Sequence, residues 1–261
     1  MSDWLHNLPV PWMAAVVFGF TYLLAAVIFA AVAMLASEDR AKSFKSISPG
    51  MLPVLGIIFG LFVAFTAAQV WNDSDRANSA VSREASALRA AALLAAGLPS
   101  EQEARLRGLL RQYVQEAAKV EWPLMARQAA SLRTAPPALA EALQFVAAMT
   151  AQGAGQATAQ REIVEALQTA LDARRQRIIV SHAEVNSVKW WCLYLQAACA
   201  LLVIGLVHCD NRLAGGVAMG LFATGVAASV LLIAAHDRPF TGQISVSPEP
   251  LLQIMPDGAA K

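Results

Sequence analysis

The sequence predicts an all-α, four-span membrane protein with a cytoplasmic helical domain continuous with spans two and three. Three observations predict it. The chain has 261 residues, 57% hydrophobic and only 15% charged, against about 25% charged in soluble domains. Four runs, about Trp12–Ala36, Met51–Val70, Trp190–Val207 and Leu213–Ala235, reach the roughly 20 apolar residues that cross a bilayer. From Asn72 to Lys189 no stretch alternates with period two, whereas helical spacing is plain.

The first run is about 25 residues long, longer than the roughly 7–15 of a secretory core. The preceding "MSDWLHNLPVP" has no Lys or Arg, so a retained helix is expected. Span two has no Gly or Pro between Leu61 and Ala96. It is expected to continue past the membrane, with Val81, Ala85, Leu88 and Ala92 on one stripe. A hinge at Trp71 or Asn72 is the alternative. Gly97 suits a C-terminal cap and Pro99 blocks continuation. Ser100 and Glu103 read as a capping box for a helix with Leu106, Leu110, Tyr113, Ala117 and Val120 on one face. Glu101–Arg105 and Glu103–Arg107 are i,i+4 pairs on its wet side. "EWP", Glu121–Pro123, interrupts or kinks it. "TAPP" at Thr134–Pro137 is a turn, and a short helix of about Pro137–Gln152 ends at "GAG".

The last helix of the domain starts near Ala157 and has no Gly or Pro until Gly205. It is expected to run straight into span three through "KWW", Lys189–Trp191, where tryptophans and a snorkelling lysine suit the interface. The chain thus divides into an N-terminal membrane hairpin (1–71), a helical domain (72–189), a C-terminal membrane hairpin (190–236) and a proline-containing tail (237–261). In the tail, Phe240, Ile244, Leu251 and Leu252 are anchors among prolines. They suit a strip lying extended along a folded surface, such as that of a neighbouring subunit, docked through Pro239 and Phe240; a disordered terminus is the alternative.

Several function classes lose support. Spans one, two and four hold no Asp, Glu, Lys or Arg, and span three has only the amide of Gln196. Coupled transporters place ionisable groups at mid-membrane, so proton-coupled transport is disfavoured. No nucleotide loop, nucleophile–base pattern or metal-ligand cluster is present, so no enzyme and no cofactor is expected. Cys192, Cys199 and Cys209 form no CxxC pair, and His208 with Cys209 is a poor ligand set. The middle segment has 14 basic and 12 acidic residues, which gives no nucleic-acid signature. The expected surroundings are a lipid bilayer.

Two patterns remain. "GIIFG" (Gly56 to Gly60) and "GVAMG" (Gly216 to Gly220) are small-residue motifs that allow close helix packing in lipid. On span two, Ile57, Leu61 and Phe65 repeat every four residues, and Gln69 and Asp73 continue the line. Copies of this helix around an axis would form a hydrophobic constriction above a polar vestibule, and such constrictions gate by dewetting. An ordinary lipid-facing or core face is the other reading. Asp75 and Arg76 follow at the vestibule, where the arginine opposes the acidic pair.

"PVLGIIFGLFVAFTAAQVW" followed by "AVSREASAL" resembles the second span of the bestrophin-like bacterial membrane proteins. "EWP" and "DRPFTGQISVSPEPL" are similar to other recurring segments of that family, and the resemblance covers roughly Gly50 to Leu252. A more distant likeness is to bestrophins proper, at Pro53, Gly60, Trp71, Asn72, Pro239 and Phe240. It implies a homo-oligomer, a pentamer, working as a passive ion channel in the bacterial inner membrane. It also implies a pore lined by the second helix, with the neck role falling on Ile57 and Leu61. Bestrophin necks carry bulky aromatics at those two positions. Their acidic calcium ligands after the Pro-Phe pair are missing here, where the chain reads "TGQISVSPEP". Calcium gating is therefore not expected. The class that competes with a channel is a non-conducting scaffold or sensor whose helices bind a protein partner.

With four spans, the tails and the middle segment share one side of the membrane. They carry 16 of the 20 Lys and Arg residues; Arg40, Lys42, Lys45 and Arg212 lie on the other side. The positive-inside rule then puts both termini in the cytoplasm. A reporter active only in the cytoplasm, fused after Lys261, is expected to give signal. A silent but stably expressed fusion would reverse the orientation.

Overall fold

The computed structural model describes residues 3–35 and 50–254, and every regular element among them is a helix. Helix α1 is Asp3–His6, α2 is Val10–Leu35 and α3 is Met51–Leu94. They are followed by α4 (Ser100–Glu116), α5 (Trp122–Ala126), α6 (Pro137–Ala147) and α7 (Ala154–Ser181). Then come α8 (Ser187–Val207), α9 (Arg212–His236) and the short α10 (Glu249–Leu252). Four of them, α2, α3, α8 and α9, are long and apolar enough to cross a membrane. The chain is a multi-pass membrane protein. The end of the expected first span at Ala36, the loop residues Arg40, Lys42 and Lys45, and Lys261 lie outside the described residues.

The chain forms two compact units. The first holds residues up to Trp71 together with Glu184–Asp237. In it α2, α8 and α9 pack through Met13, Val17, Ala25, Leu193, Ala197, Leu201, Ala223 and Val230. Close approach depends on two glycines. A Cβ on Gly205 would sit 3.3 Å from Val32 Cγ2, and one on Gly215 would sit 3.3 Å from His208 Cβ. Hydroxyls inside the spans are satisfied locally, as a medium without water requires. Thr21 donates to the Val17 carbonyl and Thr66 to the Phe62 carbonyl, each at 2.8 Å.

The second unit holds Asn72–Ala183 and the chain from Arg238. Val81, Ala85, Leu88 and Ala92 of α3 are buried in its core beside Leu106, Leu110 and Tyr113 of α4. Helix α3 contributes to both units without interruption at Trp71 or Asn72. It ends differently from expectation. Gly97 does not take a left-handed conformation; a 3₁₀ turn, Ala95–Gly97, tightens the end instead. Leu98 is then extended (φ −92°, ψ 160°), the region a residue before proline prefers. The capping box does not form either. Pro99 is the N-cap, and the Glu103 carboxylate instead accepts from Arg107 Nε at 2.8 Å. Arg105 reaches Glu141 of α6 at 3.1 Å.

Two further corrections concern helix continuity. Residues Ala117–Glu121 form a turn of π-helix, which widens the helix and rotates the residues beyond it. Val120, expected on the buried face, is 52% exposed, while Glu121 turns inward. The long helix expected from Ala157 to Gly205 is two helices, α7 and α8, with a break between Ser181 and Ser187. No Gly or Pro marks it. Asn186 caps α8 by accepting from the Val188 N–H at 3.0 Å. The Val185 N–H donates to Asp237 Oδ1 at 2.6 Å, and the same carboxylate binds His6 Nε2 at 3.0 Å. Side chains distant in sequence thus supply the partners that an unbroken helix would have given. Helix α6 stops at Ala147, short of Gln152, and Gln160 of α7 donates to the carbonyls of Val146 and Met149 at 2.8 and 3.0 Å.

The segment after α9 folds onto the second unit of its own chain. Phe240 is buried and meets Trp122 edge-on, with ring centroids 5.6 Å apart. Trp122 Nε1 donates to the Val246 carbonyl at 3.0 Å, and Thr241 to that of Ala126 at 2.8 Å. Leu251 and Ile254 are buried in the core, whereas Ile244 and Leu252 face outward. Truncation after Gly242 removes both buried aliphatics and the acceptor of Trp122. The truncated protein is expected to lose more than about 2–5 kcal/mol, the cost of one large core deletion. Thermal unfolding in detergent measures this, and an unchanged melting curve would show the segment to be dispensable.

Candidate functional site

Two sets of residues stand out, one in each unit. The first is the exposed face of α3. Ile57, Leu61 and Phe65 are 70%, 55% and 68% exposed. The span-two portion of α3 is the least buried of the four spans, at 17%. What it does bury lies on another side, where Phe59, Ala67 and Val70 meet the first unit's core and Phe59 stacks obliquely on Phe222. Val63 is partly buried in that same core. Gly56 and Gly60 share the open region: a Cβ at either would meet nothing within 4 Å, and the same holds for Gly220. Gly216 has only the edge of Phe29 at 4.0 Å. Close packing is therefore not made at either glycine motif among the described residues: Gly56 and Gly60 meet no other helix, and Gly216 and Gly220 border a cavity left between α9 and α2 at Tyr22, Ala25 and Phe29. Gly205 and Gly215 take that role.

Further along α3, Gln69 is half-buried and accepts from Lys189 Nζ. Asp73 lies 3.8 Å from Arg76, one turn on. Asp75 and Arg76 are exposed and, with Asn72, Ser79, Arg83 and Gln176, line an open cavity of about 470 Å³. Pro239 and Phe240 lie elsewhere, in the second unit, where Phe240 closes over Trp122. In span three the buried Gln196 Oε1 finds no donor among the described residues.

The second set is a buried charge cluster. Arg177 of α7 is fully buried, as is Glu84 of α3. The guanidinium grips the carboxylate with two bonds, Nε to Oε2 at 2.7 Å and Nη2 to Oε1 at 3.1 Å. Its Nη2 also donates to Glu121 Oε2 at 2.9 Å. Arg174 Nε donates to the other oxygen of Glu121 at 2.8 Å. The Tyr113 hydroxyl donates to Glu84, and Arg177 lies 4.7 Å over the Trp122 ring. Two arginines balance two glutamates, and the paired geometry is what a buried charge demands.

The electrostatics reflect this packing. Burial would lower the affinity of Arg177 for its proton, but the charge and hydrogen bond of Glu84, with Tyr113 and Glu121, together more than offset it, so its pKa is raised and it stays charged. Burial and then the Glu84 charge push Tyr113 well above the usual tyrosine range. Its hydroxyl therefore remains a donor at neutral pH. Every group points at another member of the cluster, so the arrangement acts as a lock between helices.

Residues 19–251 match the bestrophin-like domain. The chain belongs to the bestrophin-like family. The match begins further toward the N-terminus than Gly50, so span one is part of the bestrophin-like domain. Neither the curated proteins nor the solved structures contain a match. Three of the four segments that carry the bestrophin-like resemblance meet in the second unit. "AVSREASAL" supplies Glu84, "EWP" supplies Glu121 and Trp122, and "DRPFTG" supplies Phe240.

Sequence patterns alone did not single out Glu84, Glu121, Arg174, Arg177 or Tyr113 as a cluster. A signal was present, because Glu84 sits between Val81 and Leu88 on an otherwise apolar stripe. A buried charge there requires a partner, but its partner lies 93 residues away. Glu84→Gln keeps the shape and removes the charge, leaving Arg177 buried with an incomplete counter-charge. The expected loss is about 3–5 kcal/mol, as for other broken buried pairs. Glu84→Gln with Arg177→Met should recover part of it. Denaturation of the full-length protein in detergent, followed by circular dichroism, measures both; wild-type stability of the single variant would remove the lock.

Proposed function

We propose that the protein is a passive ion channel built from several copies of the chain, a pentamer, with span two lining the pore. Membership of the bestrophin-like family supports this reading. The observation that carries it is the open face of α3: Ile57, Leu61 and Phe65 are long apolar side chains left exposed among the described residues. Around a common axis they form the constriction, with Gln69, Asp73, Asp75 and Arg76 at the vestibule. Ion flow is gated there by wetting and drying of an apolar neck. The protein sits in the bacterial inner membrane with both termini in the cytoplasm and works without a cofactor, as a conduit and not an enzyme.

A non-conducting scaffold is the competing reading. It draws on the open groove of about 520 Å³ along Ser82, Ser86, Ala90, Glu162 and Glu165.

Leu61→Ala decides between them. It removes apolar wall from every subunit at one level, so single-channel recordings in planar bilayers should show higher conductance or open probability. Val63→Ala instead makes a void in the packed core and should lower stability without opening the pore. Equal currents from wild type and both variants would reject the face. No current from any, together with a monomer in native mass spectrometry, would favour the scaffold.

A further inference from the structure

Helices α3 and α7 leave an open cavity of about 470 Å³ between them in the helical unit. That volume is in the range of about 300–1,000 Å³ typical of small-molecule sites. Asn72, Arg76, Ser79 and Arg83 line it from α3; their spacing of i, i+4, i+7 and i+11 makes one helix stripe. Gln176 lines it from α7, beside the apolar Ile179 and Val180.

Two guanidiniums border this space, and neither is firmly paired. Arg83 donates to Gln176 Oε1 at 3.3 Å, a neutral acceptor, and meets no carboxylate among the described residues. Arg76 is 73% exposed and lies 3.8 Å from Asp73, a surface pair of the weak kind. The Ser79 hydroxyl makes no hydrogen bond among the described residues. The two arginines stand about 10 Å apart along α3 at 1.5 Å per residue, with Ser79 between them. Side chains of that length reach a common anion.

The lining also sets the ligand's charge. Asp75 is its one carboxylate, so two arginines and one aspartate give a formal charge of +1. The guanidinium fork matches phosphate oxygens bidentately. A phosphate diester carries one negative charge and balances the lining. An organic group on the diester finds apolar wall at Ile179 and Val180, and a hydroxyl on it finds an acceptor in Asp75.

We propose that this cavity binds a phosphodiester monoanion between Arg76 and Arg83, with Ser79 as a further donor. Asp75 and Arg76 also belong to the proposed vestibule, but the site is complete within one chain and does not rest on conduction. The diester has two sources. A soluble one enters from water. A phospholipid offers its own at the headgroup level, which α3 crosses just past Trp71.

The test uses full-length, lipid-stripped protein in uncharged detergent, with two probes. Phosphatidylglycerol, with diacylglycerol as its headless control, is counted by native mass spectrometry. Glycerophosphoglycerol, the same headgroup without acyl chains, is measured by equilibrium dialysis. Binding of the lipid alone assigns a bilayer source, and binding of both assigns a soluble one. In either case Arg83→Gln and Arg76→Gln should each weaken binding about tenfold, the range of one charge-assisted hydrogen bond. Arg89→Gln removes an exposed arginine of α3 outside the cavity and should leave binding unchanged, as should all three variants for diacylglycerol. The proposal is overturned if neither phosphate probe binds, if binding survives both cavity variants, or if Arg89→Gln weakens it as much as they do. Melting curves of the variants accompany the assay. If Arg83→Gln does not fold, Arg76→Gln against Arg89→Gln decides.

Discussion

A guanidinium with no access to water is the constraint that shapes the helical unit. Arg177 is fully buried, and an isolated buried ion is far too costly to keep. It must be neutralised, and its donors must be filled. Glu84 meets the charge from α3, Glu121 meets it from the π turn, and Trp122 covers the flat face. Trp122 is in turn covered by Phe240. One cation therefore fixes the relative placement of α3, α5, α7 and the segment after α9. Hydrophobic burial supplies the bulk of the stability, but it is not directional. The bidentate pair gives the register.

The membrane unit obeys a different rule. Lipid offers no hydrophobic drive between helices, so association rests on packing and small residues. Helices α2, α8 and α9 satisfy that rule together, with Gly205 and Gly215 at their closest approaches. Helix α3 does so only along the side of Phe59, Ala67 and Val70. Gly56, Gly60, Ile57, Leu61 and Phe65 remain outside the contact among the described residues. The division of labour is thus between three helices that hold one another and one that presents a face.

Much of the fold was legible because the relevant signals are local. Apolar length gave four membrane helices, and the stripe from Val81 to Ala92 gave the run-on of α3. What escaped depends on partners remote in sequence. The α7–α8 break has no Gly or Pro; it rests on Asp237, which accepts from Val185 across 52 positions. The π turn has no composition signature, yet it decides that Glu121 faces inward and Val120 outward. Expecting Val120 in the core was wrong because it assumed an unbroken α-helical phase. The capping box at Ser100 failed because Pro99 already ends the preceding turn, leaving Glu103 to pair with Arg107. At the candidate site, the stripe of Ile57, Leu61 and Phe65 was readable from spacing, but nothing in the sequence says that it is left exposed among the described residues.

The helical unit is made of two stretches separated by the last two membrane spans. That ordering has a consequence for biosynthesis. The ribosome finishes α7 well before it makes Phe240 and Leu251, yet both belong to the same core. Until they emerge, the nascent unit has Trp122 uncovered and a gap where Leu251 belongs. Its completion therefore waits on insertion of spans three and four, and a chain stalled in the membrane displays an unfinished apolar surface. Completeness of the membrane portion is in this way written into the folding of the helical unit.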